Sequence, residues 1–191
     1  MGTAEPAEVA AIPVVLMPGL DGTGDLFEPF LSCCPPEIRP VVVRYGATVV
    51  PDIDSVARQL PAGAVVIAEL AGTPPRWAIR RYLVGRTAPD SLVSRVARVI
   101  ASCDGALLAS RVRHLASIDA RESLRSLRLP LLYLRGDEDR LISERYVDEV
   151  LSIRPETEVV RVPGPHFLLQ ARPEQCWSAL RSSPIFDGPI G

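Results

Sequence analysis

Short, unbroken apolar runs alternate along the chain with segments whose apolar positions recur every three or four residues. That is the pattern of a mostly parallel sheet buried between helices, an α/β fold. Five runs are expected as strands: Ile12 to Met17, Pro40 to Arg44, Ala64 to Leu70, Leu129 to Leu134 and Glu158 to Val162. Each is rich in Val, Ile or Leu and ends near a turn-forming Gly or Pro. Asp52 to Leu60 is expected as a short helix with Asp52 as its N-cap. Ser143 to Ile153 is expected as another, capped by Ser143, with Tyr146, Val147, Val150 and Leu151 at helical spacing. The last helix opens at Pro173, a residue favoured at the first helical position.

The stretch between the third and fourth strands has a different pattern. Four consecutive helices are expected there: Pro75 to Leu83, Pro89 to Ser102, Ala106 to Leu115 and Ala120 to Leu127. Val93, Val96, Val99 and Ile100 follow the 3–4 spacing of a helix that buries one face. Residues 74–127 therefore read as a helical cap-like insertion within one domain spanning 1–191, lying over the edge of the sheet where open α/β folds bind ligands.

Composition narrows the function. Apolar residues make up 47% of the 191 residues and the net charge is −2, which excludes a disordered chain and a nucleic-acid binder resting on bulk positive charge. All 21 basic residues are arginine, so Schiff-base chemistry and a GxxxxGK[ST] phosphate loop are both excluded. No apolar run approaches the roughly 18 residues of a membrane span, and the N-terminal residues carry no secretory pattern. Cys33, Cys34, Cys103 and Cys176 form no CxxC pair, and with His114 and His166 they give no zinc spacing. Reduced thiols, a cytoplasmic location and neither metal nor cofactor are the expectations.

Three segments placed directly after strands carry chemistry. The turn Pro18-Gly19-Leu20-Asp21-Gly22-Thr23-Gly24 lets backbone N–H groups approach an anion or oxyanion without Cβ interference. Its spacing is not the dinucleotide GxGxxG, and an ordinary strand-to-helix turn is the competing interpretation. Gly136-Asp137-Glu138-Asp139-Arg140 offers a carboxylate that could orient an imidazole, against a solvated acidic turn. Pro163-Gly164-Pro165-His166 places a histidine at a strand's end on a proline-stiffened loop, suited to a general base or to a structural role. His114, among Leu107, Leu108 and Val112, reads as a helix-surface residue.

In order, these segments resemble the α/β-hydrolase family, in particular small bacterial hydrolases that begin with an LPGLDGTG strand-turn. The resemblance rests on VVLMPGLDGTGDLFEPFL, AGAVVIAE, LPLLYLRGDEDRLI and VPGPHFLLQARPEQC. It implies Asp139 as the triad acid, His166 as the triad histidine, and the backbone N–H groups of Leu20 and Ala71 as oxyanion donors. The family's nucleophile elbow, GxSxG or AxSxG, is expected after the third strand. Here Ala68-Glu69-Leu70-Ala71-Gly72 keeps the frame with Leu70 at the nucleophile's place, and Pro74-Pro75-Arg76-Trp77 follows at once. Against the family, an elbow helix and a strand are missing, so the fold is expected to be shortened. A second elbow frame, Ala101-Ser102-Cys103-Asp104-Gly105, carries a residue able to attack. Some family members use cysteine, and Cys103 is a candidate nucleophile, with an interhelical turn as the competing interpretation.

A missing strand leaves three outcomes: the strands from Ala64 and Leu129 pair directly, a partner such as a second copy fills the slot, or the fold rearranges. Two functions stand side by side. One is a carboxylic-ester hydrolase of esterase or lipase type, weakly active or inactive, taking a small apolar ester or acyl ligand. The other is a catalytically dead, hydrolase-derived protein that binds a small ligand or a partner. Trp77, Ile79, Tyr82 and Leu83 on the cap favour acyl groups over sugars.

Overall fold

A computed structural model describes residues 13–19, 21–44, 65–68, 76–108, 110–111 and 119–186. The helix expected at Asp52 to Leu60 lies outside the described residues, as do Leu20, Leu70, Ala71 and His114.

The described residues form five strands in two parallel sets. β1 (Pro13–Met17) lies between β2 (Arg39–Val42) and β3 (Val65–Ala68), with Val15 opposite Val41 on one side and Val66 on the other. β4 (Leu132–Gly136) pairs in parallel with β5 (Glu158–Val162), Leu134 opposite Val160. Among the described residues no ladder joins β3 to β4, so direct pairing across the gap, the first of the three expected outcomes, is not seen among them. β5 has the expected bounds, whereas β4 starts three residues later than expected and runs on through Arg135 and Gly136.

The two strand sets are held together by one apolar core. Val14 and Leu16 of β1 meet Val162 of β5 through Phe30 of α1 (Glu28–Ser32), Leu168 and Leu169 of α6 (Leu168–Ala171) and Trp177 of α7 (Pro173–Ser182). The Phe30 and Trp177 rings stack at 4.2 Å and 7°, and the indole N–H donates to the Phe30 carbonyl at 2.8 Å. That bond satisfies the polar handle of an aromatic ring that is otherwise buried. Pro173 opens α7, as the sequence predicts.

The region after β3 is helical where described. α2 (Arg76–Ala78) continues as π-helical turns over Ile79–Val84, and α3 (Asp90–Ala101) follows. Leu92, Val93, Val96, Val99 and Ile100 form the buried stripe of α3 and pack with Ile79, Leu83, Leu26 and Phe167. Each such side chain contributes about 1.5–3 kcal/mol of gross transfer free energy, which fixes the segment onto the His166 loop. Ile79 and Leu83 are therefore core residues rather than a ligand surface; Trp77 is 67% exposed and Tyr82 38%. Helical residues 105–108 and α4 (Arg121–Ser126) precede β4.

α5 (Arg145–Ile153) connects β4 to β5. Ser143 does not cap it. The N-cap is Glu144, whose carbonyl accepts from Val147 and Asp148, and no side chain makes the capping bond. The Glu144 carboxylate is drawn instead to arginines on the neighbouring strands.

Candidate functional site

The turn after β1 is shaped by close approach. Gly22 and Gly24 have φ of 68° and 75°, the left-handed region that glycine enters at little cost. A Cβ on Gly22 would lie 2.6 Å from Nη1 of Arg111, and one on Gly24 would lie 2.3 Å from Cγ1 of Val42. The side chain of Asp21 braces the turn, its Oδ2 accepting from the Thr23 amide at 2.9 Å and the Thr23 hydroxyl at 2.6 Å. Gly22 thus admits the buried guanidinium of Arg111, a residue the sequence pattern does not single out, and Gly24 admits the Val42 side chain.

The second turn is stitched to the loop after β5. Backbone bonds run from Asp137 N to Val162 O at 3.1 Å and from Glu138 N to Gly164 O at 2.9 Å. Gly136 is a matter of space: a Cβ there would fall 2.5 Å from the Pro165 carbonyl oxygen and 2.6 Å from that of Gly164. The helical segment holds the loop from the other side, with Phe167 N donating to Leu83 O at 2.8 Å.

These restraints bring two predicted residues together. His166 Nδ1 lies 2.9 Å from Asp139 Oδ2, and the two side chains are 9% and 8% exposed. The other carboxylate oxygen accepts from the amides of Leu141 at 2.8 Å and Ile142 at 2.9 Å. Burial pushes the Asp139 pKa up, but the hydrogen bonds from His166 and from those amides outweigh it and the net direction is down. An ionised Asp139 can act only as an acceptor, so Nδ1 carries the proton and Nε2 is the basic nitrogen of the ring.

Arg135 was also missed. Its side chain is 6% exposed, and Nη1 lies 3.1 Å from Oδ2 of Asp139, the same oxygen that faces His166. Neither Nη1 nor Nε is aligned for a hydrogen bond, so the contact is one of charge. On its other side Nε is 3.5 Å from Glu144 Oε2, and Arg161 pairs with Glu144 and, at 3.7 Å, with Asp137. Nothing in a sequence pattern marks an arginine on a strand as buried; the carboxylates of Asp139 and Glu144, four and nine residues downstream of it, were the available signal.

Cys103 follows the last turn of α3, so the strand that a nucleophile elbow needs before it is a helix. Its Sγ faces the carbonyls of Val99 at 3.3 Å and Asp21 at 3.7 Å. Burial, then the charge of Asp21, raises the thiol pKa against the pull of Arg111, which keeps it protonated and a poor nucleophile. A cavity of about 260 Å³ lies elsewhere, between Pro29, Leu92, Arg95, Gln170 and Arg172, and neither Asp139 nor His166 lines it.

No protein-family model matches the chain, and no curated protein matches it in sequence. Solved structures do match in shape. The enol-lactonase of Burkholderia xenovorans LB400 superimposes with a TM-score of 0.73 at 12% identity, over 96% of this chain and 94% of that one. An E-2-(acetamidomethylene)succinate hydrolase gives 0.66 at 16% identity, over 93% and 91%. A lipase-esterase related protein from Clostridium acetobutylicum gives 0.69 at 10% identity, over 91% and 95%. The chain has the α/β-hydrolase fold. Within the α/β-hydrolase fold, Asp139 and His166 sit on the loops that follow the last two strands of the chain. No helix among the described residues is long and apolar enough to cross a membrane, and none of their His, Cys, Asp and Glu side chains cluster in threes that could hold a metal ion.

Proposed function

We propose that the protein is a hydrolase of carboxylic esters or related acyl compounds, with His166 as general base and Asp139 as the residue that orients it. The observation that carries this is the buried 2.9 Å contact between His166 Nδ1 and Asp139 Oδ2. A carboxylate so placed holds the ring in one tautomer and stabilises the imidazolium that forms when Nε2 takes a proton. With leucine at position 70, the base acts on water rather than on a serine, and no acyl-enzyme forms. Loss of a triad member typically leaves about 10³–10⁴-fold over water, so turnover is slow. The helices between β3 and β4 serve as the cap, the amides of Leu20 and Ala71 as oxyanion donors, and the thiols work reduced in the cytoplasm.

The test is hydrolysis of p-nitrophenyl butyrate by the wild type and by His166→Ala. A rate that collapses in the variant supports a working base. Equal rates at the level of a control protein refute hydrolysis and favour the second reading, a hydrolase-derived binding protein, which Leu70 already supports. The unjoined β3 and β4 support a homodimer in which a second copy covers those edges. A strict monomer in light scattering removes that proposal.

A further inference from the structure

The oxygen of Asp139 that faces His166 is shared between an imidazole at 2.9 Å and a guanidinium at 3.1 Å, all three side chains being less than a tenth exposed. A carboxylate alone draws a proton onto the ring beside it. A second, permanent cation on the same oxygen opposes this, because an imidazolium would then stand close to a guanidinium that cannot lose its charge. We propose that Arg135 is a positioning residue for the dyad: its buried charge beside Asp139 holds the His166 ring neutral, and so basic at Nε2, to lower pH than the Asp139 contact alone would allow. The consequence for turnover deepens the hydrolase reading and rests on it; the effect on the ring does not.

The charged surroundings fit a graded device. Glu144 lies 3.5 Å from Nε of Arg135 and offsets part of its charge, while Arg161 pairs with Glu144 and Asp137 and so limits that offset. Tyr133, also on β4, carries a phenol that burial keeps protonated. Arg172 is turned to the carbonyls of Pro163 at 3.0 Å and Ala171 at 2.8 Å. From the helical segment, Leu83 meets the loop through its carbonyl, and Arg80 points away to Ala88 O and Asp90.

The chain has two histidines, so the His166 ring can be followed by proton NMR in a His114→Gln background across pH 4 to 9. In Arg135→Met the titration midpoint of the ring rises by about one pH unit, the scale of a close charge partner. In Arg135→Lys, which keeps the charge, it stays close to the parent value. A folded Arg135→Met protein with an unmoved midpoint overturns the proposal. Should Arg135→Met not fold, Glu144→Gln at the exposed end of the cluster decides: removing the offsetting anion lowers the midpoint, and an unchanged or higher midpoint overturns the proposal. If the wild type hydrolyses p-nitrophenyl butyrate, the acid limb of its pH–rate profile moves with the ring. If it does not, the hydrolase reading fails while the NMR titration still decides the role of Arg135.

Discussion

Gly136 should be the least replaceable small residue near the dyad, for reasons of space alone. Its φ is not in the left-handed region, so alanine suffers no backbone strain there. A Cβ would nonetheless meet the Pro165 carbonyl oxygen at 2.5 Å, roughly 0.9 Å inside the 3.4 Å at which ordinary contact begins. The obstacle is backbone, with no rotamer to relieve it. The loop must therefore retreat from β4, loosening the bonds from Asp137 N to Val162 O and from Glu138 N to Gly164 O. Two hydrogen bonds at about 1 kcal/mol each and an overpacking cost of about 1–3 kcal/mol put the loss at about 3–5 kcal/mol. For a chain of this size that lowers Tm by about 6–20 °C in a calorimetric or circular-dichroism melt. The control is Gly105→Ala at the start of helical residues 105–108, where a Cβ meets nothing within 4 Å. There alanine is neutral or stabilising by up to about 1 kcal/mol. If Gly136→Ala melts within a degree or two of the wild type, or if both variants fall equally, the spatial reasoning is wrong.

Trp177→Phe keeps the ring stacked on Phe30 but removes the donor to the Phe30 carbonyl, and should cost about 1–3 kcal/mol in urea unfolding; no measurable change would show that water or another donor replaces the indole. Asp139 has a pKa held below its ordinary 3.8, so it contributes stability above that pH that is lost as pH falls through the lowered value. Unfolding free energy of the wild type should therefore fall more steeply below about pH 4 than that of Asp139→Asn, and parallel curves would refute the assignment. Cys103→Ala should leave p-nitrophenyl butyrate hydrolysis unchanged, because its thiol faces backbone carbonyls; a collapse in rate would restore it as nucleophile.

Local pattern carried much of the described fold and the placement of the candidate dyad. Glu158–Val162, the helix over Asp90–Ala101 and the start at Pro173 are written in near-neighbour spacing, and Asp139 and His166 in short motifs after strands. Ser143 was misread because a capping residue type is common at loop ends, while the helix start was decided by where Glu144 is drawn across to Arg135 and Arg161. Among the described residues the sequence by itself determined most strand and helix segments and that Asp139 and His166 each follow a strand, since those depend on residues a few positions apart. Tertiary structure alone decided that no ladder joins β3 to β4 among the described residues, that Gly136 must lack a side chain, and that Arg135 is buried against Asp139. Those outcomes follow from surfaces brought together from distant parts of the chain, where burial turns an ordinary surface charge into a neighbour that an imidazole must answer to.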